Sequence, residues 1–238
     1  MAKQISVLGI ITARGGSKGI LRKNVKDLCG KPLIAYTIEA AKGSTFLTRC
    51  VLSTDDTEIA AVAKKFGCEV PFMRPRELAQ DNSTSIDTVK HAVNWFRDNE
   101  AKEYDYIMIL QPTSPGRTSE DIDASIKIAE RTNADSVMSM KELVDMPAQK
   151  LKKIDESGRI VPYYEDEGKM TSMRQDLAKV YKRNCAIYLT KTALIMNGDL
   201  FGADSRAYVM PEERSIDINT PADFELAEFW MRKLGKCG

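Results

Sequence analysis

Short apolar, β-branched runs alternate with stretches of helical periodicity along most of the chain, and this alternation restricts the fold more than any other feature. Strand-like runs separated by amphipathic helices are the pattern of a parallel sheet covered by helices. The first run, Ile5 to Thr12 (ISVLGIIT), enters a glycine-containing loop, after which KPLIAYTIEAAKG shows helical spacing up to Gly43. CVLSTDD reads as a strand with a polar end, and DTEIAAVAKKFG as a helix capped by Asp56 and stopped at Gly67. CEVPFMRP reads as a short strand, STSIDTVKHAVNWFRDN as a long amphipathic helix, and YIMILQPTSPGR as a buried strand entering a proline-punctuated loop. SEDIDASIKIAERTN reads as a helix opened by a capping box at Ser119, and ADSVMSM as a further strand.

From about Leu143 to Arg183 the rhythm breaks into polar, charged sequence, where KLKKID, ESG and RIVPYY predict a hairpin. CAIYLTKTALIMNG then resumes strand and helix, AYVMP is a short strand, and PADFELAEFWMRKLG is a closing helix with Pro221 in its first turn. The expected fold is α/β: a Rossmann-like, mostly parallel sheet with helices on both faces. Residues 1–142 and 184–238 form that domain, and residues 143–183 are an inserted arm. An arm with so little core of its own packs best on a second subunit, so a homodimer is expected.

Composition narrows the function by exclusion. A net charge of +1 over 238 residues gives no footprint for a nucleic-acid or membrane partner, so any anion must meet a local cluster. The five cysteines (29, 50, 68, 185, 237) lack CxxC or zinc spacing and read as reduced thiols. The single histidine, His91, sits at helical spacing as a structural or solvent-facing residue, which argues against a histidine metal site or triad. No run has signal-peptide or membrane-spanning character, and the chain is expected to be cytoplasmic.

The local cluster is ARGGSKGILRKN, residues 13–24, with three glycines among four cations. Glycines let backbone N–H groups turn toward a ligand, and cations offset its charge, so a phosphate chain is a natural guest. Neither GxxxxGK[ST] nor GxGxxG is present; a solvated basic turn is the plainer alternative. In an open parallel sheet, ligands bind outside the carboxyl ends of strands, and polar loops leave such ends after Thr12, Leu52 and Leu110.

ARGGSKGILRKN, LSTDDTEIA, RPRELAQDNSTS, LQPTSPGR, RQ, RNCAIY and SIDINTPADFELAE follow the order seen in the acylneuraminate cytidylyltransferases, and the chain resembles that family over nearly its whole length. The resemblance implies transfer of CMP from CTP to the anomeric hydroxyl of a nine-carbon 2-keto sugar acid of the sialic or legionaminic type, with release of pyrophosphate. It implies Mg²⁺ as cofactor, with Mn²⁺ as a substitute. By the same resemblance Ala13, Arg14, Lys18, Lys23 and Asn24 hold CTP, with Arg74 and Ser85 as further nucleotide contacts. Gln111 reaches both nucleotide and sugar, and Arg174 in the arm meets the sugar acid. Asp217 is the first metal-binding aspartate, with Asn219 beside it, and Arg14, Lys23 and Asp217 form the catalytic set.

Physical chemistry suits these roles. Lysines offset triphosphate charge, an arginine fork suits a carboxylate, and Mg²⁺ takes carboxylate and phosphate oxygens. Asp217 and Arg174 also have plainer readings, as a helix cap and a surface ion-pair residue. The chain departs from the family pattern at Leu21 (usually proline), Gly116 (usually leucine), Cys185 (usually glycine) and Asn219 (often a second aspartate). Gln149 stands where sialic-acid-specific members carry lysine. Rival expectations are the same reaction on an eight-carbon sugar acid and a catalytically weak nucleotide-binding regulator. A nicotinamide-dependent dehydrogenase is a poorer fit, since the dinucleotide fingerprint is absent.

Overall fold

The structure, a computed structural model, describes residues 4–237 apart from 17–18, 81–82, 145, 147–149 and 164–177. Its centre is β1 (Val7–Thr12), which pairs in parallel with β4 (Arg49–Ser53) on one side and β5 (Tyr106–Leu110) on the other. Beyond β5 the six-stranded sheet continues through β9 (Tyr181–Lys191) and β6 (Ser136–Glu142) to β10 (Ser205–Val209). β9 runs antiparallel to both its neighbours, and β10 is parallel to β6. The sheet is thus mostly parallel, as expected, with one reversed strand.

Alternation along the strands sends side chains to two helical layers. Val7, Ile11, Met108 and Leu110 face one layer, where α1 (Leu33–Gly43), α2 (Thr57–Lys65) and α4 (Ser119–Thr132) contribute Ile34, Ile59 and Ile122. Leu8, Ile10, Ile107 and Ile109 face the other, where α3 (Ser85–Glu100) contributes Val89, Ala92 and Phe96, and α5 (Thr192–Met196) contributes Ile195. Full burial of such side chains stabilises the fold by about 1.5–3 kcal/mol each before chain entropy is counted. A third cluster joins the two ends of the chain: Ile20, Leu28 and Leu33 pack against Ile218, Phe224 and Met231. The last two lie on α6 (Pro221–Lys233), so the closing helix is a support for the glycine-rich loop.

Several local expectations are met. Asp56 caps α2 by accepting from the N–H groups of Glu58 and Ile59, and Pro221 occupies the first turn of α6. His91 lies half-buried on α3 with its ring edge-on to Phe72 at 5.1 Å. The predicted hairpin forms from β7 (Lys152–Ile154) and β8 (Ile160–Pro162). Gln149 lies outside the described residues.

Three expectations are corrected. The capping box of α4 uses Thr118, not Ser119: the Thr118 hydroxyl and Asp121 carboxylate exchange bonds with each other's backbone N–H. CEVPFMRP is not a strand but touches the sheet through a single bridge, Val51 to Glu69, because the chain turns away to deliver Arg74 beneath β4. The cysteines are not all free. Cys29 and Cys237 form a disulfide with Cα atoms 4.7 Å apart, leaving Cys50, Cys68 and Cys185 as thiols. Cys29 sits at the turn between β2 (Asp27–Leu28) and β3 (Lys31–Pro32), so the bridge fastens the end of the chain beside the third cluster. No helix among the described residues is long and apolar enough to cross a membrane.

Candidate active site

The loops after β1 and β5, with residues 74–80 and 83–88, surround a cavity of about 410 Å³ at the carboxyl ends of those two strands. Arg14, Lys23, Asn24, Arg74, Ser85 and Gln111 all line it, although they come from four separate stretches of sequence.

The glycine-rich loop is braced at each step. The Gly15 N–H donates to Asp55 Oδ1 at 3.0 Å, and the buried Asn24 donates from Nδ2 to the Arg14 carbonyl at 3.0 Å. Arg22 adopts a left-handed backbone (φ 56°) and turns its guanidinium onto Asp56 and Glu58 at the start of α2. Arg22 is therefore engaged in holding the loop. Arg14 donates from Nη1 to the Gln80 carbonyl at 3.2 Å, which ties the loop to the opposite wall. Gly19 approaches the 217–219 segment so closely that a Cβ there would lie 2.2 Å from the Asn219 carbonyl oxygen. Only glycine fits that contact without moving backbone.

Charge is concentrated and partly desolvated. Lys23 donates from Nζ to the Ile218 carbonyl at 2.7 Å. Burial lowers its pKa, Asp217 and Asp223 oppose that shift, and Arg14 adds to it. Arg74 is 6% exposed and donates to the Ser53 carbonyl at 2.6 Å and the Ser53 hydroxyl at 3.1 Å. Burial pulls the Arg74 pKa down to about 10, so it remains a cation at neutral pH. Three cations facing one cavity, the Lys23 ammonium and the Arg14 and Arg74 guanidinium groups, suit a polyanion.

Two residues from Asn219, which lines the cavity, Asp217 stands outside the lining. Its Oδ2 accepts from Asn219 Nδ2 at 2.9 Å, while its Oδ1 is buried with no hydrogen-bond partner. A carboxylate oxygen held out of solvent and unpaired suits a hard divalent cation. Among the described residues no cluster of three His, Cys, Asp or Glu side chains gathers, so such a cation would draw most of its shell from ligand oxygens and water. In this arrangement Asn219 presents its amide nitrogen to Asp217 and so orients the carboxylate. Cys185, with φ 63°, lies beside Asp217; burial raises its thiol pKa.

Not every expected residue reaches the cavity with its side chain. The Ala13 methyl packs into the core, its N–H donates to the Ser53 carbonyl, and Ala13 does not line the cavity. Lys18 and Arg174 lie outside the described residues. Sequence reading missed Gln80, Thr88 and Thr113, which also line the cavity. The hydroxyl-rich run NSTS just before α3 is the one signal that could have pointed to that wall.

The chain matches the cytidylyltransferase family over residues 8–228. It is a member of that family. It is 35% identical over 233 residues to the CMP-N,N′-diacetyllegionaminic acid synthase of Legionella pneumophila, covering 94% of this chain and 96% of that one. Identity to the pseudaminic acid cytidylyltransferase of Campylobacter jejuni is 34%, covering 93% and 94% of the two chains. Identity to the N-acylneuraminate cytidylyltransferase of Escherichia coli is 32%, covering 93% of this cytidylyltransferase but only 51% of that longer relative. Among solved structures, a CMP:2-keto-3-deoxy-manno-octonic acid synthetase complexed with CTP superposes with a TM-score of 0.72 at 16% identity, covering 96% and 99%. That likeness establishes the nucleotidyltransferase fold.

Proposed function

We propose that this cytidylyltransferase transfers CMP from CTP to the anomeric hydroxyl of a nine-carbon 2-keto sugar acid of the sialic or legionaminic type. The observation that carries this reading is the convergence of Lys23 on the 217–219 segment across the cavity, which sets a cation opposite an unpaired carboxylate oxygen. In the reaction the anomeric oxygen forms a bond to the α-phosphorus, the bond from that phosphorus to the β-bridging oxygen breaks, and the hydroxyl proton passes to solvent as pyrophosphate leaves.

Arg14, Lys23, Asn24 and Arg74 bind and orient the nucleotide, Lys23 offsetting phosphate charge from its half-buried position. Ser85 supplies a hydroxyl at the first turn of α3, and Ala13 keeps the nucleotide contact that the family resemblance gives it. Gln111, with a donor and an acceptor at the end of β5, serves the ribose and the sugar acid together. Asp217 would hold Mg²⁺ or Mn²⁺, with Asn219 orienting it; when bound, the cation supplies charge to the α-phosphate and the departing pyrophosphate. Lys18 and Arg174 keep the roles that the family resemblance gives them: triphosphate contact and recognition of the sugar carboxylate.

We further propose that residues 143–180, the part of the expected 143–183 insertion that precedes β9, form an arm that packs on a second subunit. The exposure of Ile154 (75%) and Ile160 (71%) on its hairpin supports this, since apolar side chains so placed gain by being covered. Nothing in the chain calls for a nucleic-acid or membrane partner, and the cytoplasm, where CTP is made, is the fitting compartment.

The test is pyrophosphate release with Mg²⁺ and CTP against a panel of nine-carbon acids and an eight-carbon acid, with ATP, GTP and UTP as controls. Release with CTP and one nine-carbon acid is expected. Turnover confined to the eight-carbon acid, or CTP binding without turnover of any acid, overturns the assignment.

A further inference from the structure

The end of β5 holds a buried charge that the proposed reaction does not use. Arg117 is 1% exposed, and burial lowers its pKa to about 10, which leaves it a cation at neutral pH. Its Nη donors point at neutral oxygens. Nη1 donates to the carbonyls of Gln111 (3.2 Å) and Ala186 (2.6 Å), and Nη2 to the Thr37 hydroxyl at 2.5 Å. The Thr37 hydroxyl in turn reaches the Gln111 carbonyl at 3.5 Å.

These acceptors sit where two strands part. The antiparallel pairing of β5 with β9 ends at Ile109 and Tyr188, so Gln111 and Ala186 lie just beyond the ladder. There Arg117 Nη1 donates to both carbonyls, and that of Gln111 also accepts from the Ser114 N–H. The neighbouring residue of β9, Cys185, has φ 63°, and the β6–β9 register shifts at the same level, between Met138 and Met140. One residue further, Asn184 donates from Nδ2 to the Ser215 hydroxyl at 2.9 Å, which anchors the segment leading to Asp217.

A buried cation costs more than a well-packed apolar side chain unless its geometry is used. Here the geometry joins α1, the end of β5 and the irregular part of β9. We infer that Arg117 is a positioning residue of the transferase site: a guanidinium wedge that parts β5 from β9, fixes the backbone of Gln111 and so sets the side chain that meets the sugar acid. The inference rests on the proposed role of Gln111, and the wedge is examined by a readout that needs no turnover.

The variants are Arg117→Met, Arg117→Ala and Thr37→Val, alongside the unaltered protein. In Arg117→Met, kcat/KM for the sugar acid falls about 100-fold, the scale of an approximately 1 Å misplacement, while CTP affinity falls by much less, through the single ribose contact of Gln111. In Arg117→Ala, added methylguanidinium recovers part of kcat. The Gln111 side-chain amide resonance, assigned through Gln111→Glu, shifts in the Arg117 variants and returns with methylguanidinium, whether or not any sugar acid is turned over. Thr37→Val leaves the charge in place, and shifts the same resonance by less. Folded Arg117 variants with parental kinetics and an unmoved Gln111 resonance overturn the inference. So does a loss of CTP affinity in step with thermal stability, which would mark a purely structural cation. If neither Arg117 variant folds, Thr37→Val decides: an unmoved resonance there also overturns it. Absence of turnover in the unaltered protein, with the resonance behaving as expected, instead refutes the substrate reading and leaves the wedge standing.

Discussion

Lys23 Nζ donates to the carbonyl of Ile218 at 2.7 Å, joining residues 195 positions apart across the mouth of the cavity. The bond sets one cation between the glycine-rich loop and the segment that carries Asp217. Lys23→Ala removes charge from the cavity but only one half-buried hydrogen bond from the fold. Its kcat/KM for CTP is expected to fall by about 100-fold or more, the scale of losing one preorganised charge donor. Pyrophosphate release together with circular dichroism checks this; full turnover in a folded variant refutes the assignment.

The same lysine predicts a pH dependence. Burial places its folded pKa below the ordinary 10.5, with Asp217 and Asp223 only partly restoring it. Between the folded and the unfolded pKa the unfolded chain holds more protons, so this group makes the fold more stable as pH rises. Nucleotide binding goes the other way, because the charge that meets phosphate is lost over the same window. The KM for CTP is therefore expected to rise on an alkaline limb that begins below the ordinary lysine range. Lys23→Arg should move that limb upward, and a limb that stays put in this variant would exclude Lys23 as its source.

Asp217 and Asn219 divide one task unequally. Asp217 Oδ1 is buried and unpaired, whereas Asn219 Nδ2 is committed to Asp217 Oδ2 at 2.9 Å. Removing the oxygen donor should abolish specific Mn²⁺ binding, while removing the orienting amide should weaken it about 10-fold, the lower range for a ligand's hydrogen-bond partner. Mn²⁺ titrations followed by electron paramagnetic resonance, on Asp217→Ala and Asn219→Ala with CTP present, separate the two. Equal losses would make Asn219 a ligand in its own right.

How much of this was readable beforehand depended on distance along the chain. Val7–Thr12 and Tyr106–Leu110 declared themselves through continuous apolar runs, and the cap at Asp56 through local chemistry. The direction of β9 did not, because an apolar run has the same periodicity whichever way it is threaded. Arg14, Lys23 and Asn24 stood out by sharing one short loop. Asp55 and Asp56, which brace that loop, read only as a turn residue and a helix cap, because their partners Gly15 and Arg22 lie 40 and 34 residues away. Arg117 stood in the motif LQPTSPGR but showed no role of its own: a buried arginine that bonds to carbonyls has no periodicity to reveal it.

The disulfide is a further case of a long-range pair, spanning 208 residues. It closes beside the cluster of Leu28, Leu33, Phe224 and Met231, and neither cysteine lines the nucleotide cavity. Reduction is expected to cost about 2–5 kcal/mol of stability and to lower Tm by several degrees, with the KM for CTP unchanged. Thiol titration of the denatured protein should give the three thiols Cys50, Cys68 and Cys185 before reductant. Five thiols before reductant would mean the bridge does not form.

Gly116 stands where relatives usually carry leucine, and its surroundings explain the exchange. A Cβ at this position would lie 2.7 Å from the Arg214 carbonyl oxygen and 2.8 Å from the Arg214 Cα, both backbone atoms. The Arg214 segment has little freedom to retreat, since its guanidinium is held at 2.6 Å by Asp121, which is fully buried in α4. Gly116→Leu should therefore destabilise the fold by about 1–3 kcal/mol, the usual penalty of overpacking. Urea unfolding of this variant measures the cost. Because Arg117 follows directly, a loss of sugar-acid turnover larger than the stability change explains would show that strain at 116 reaches the guanidinium wedge. An unchanged midpoint would mean that the 210–216 segment yields, and that the ion pair with Asp121 does not fix it.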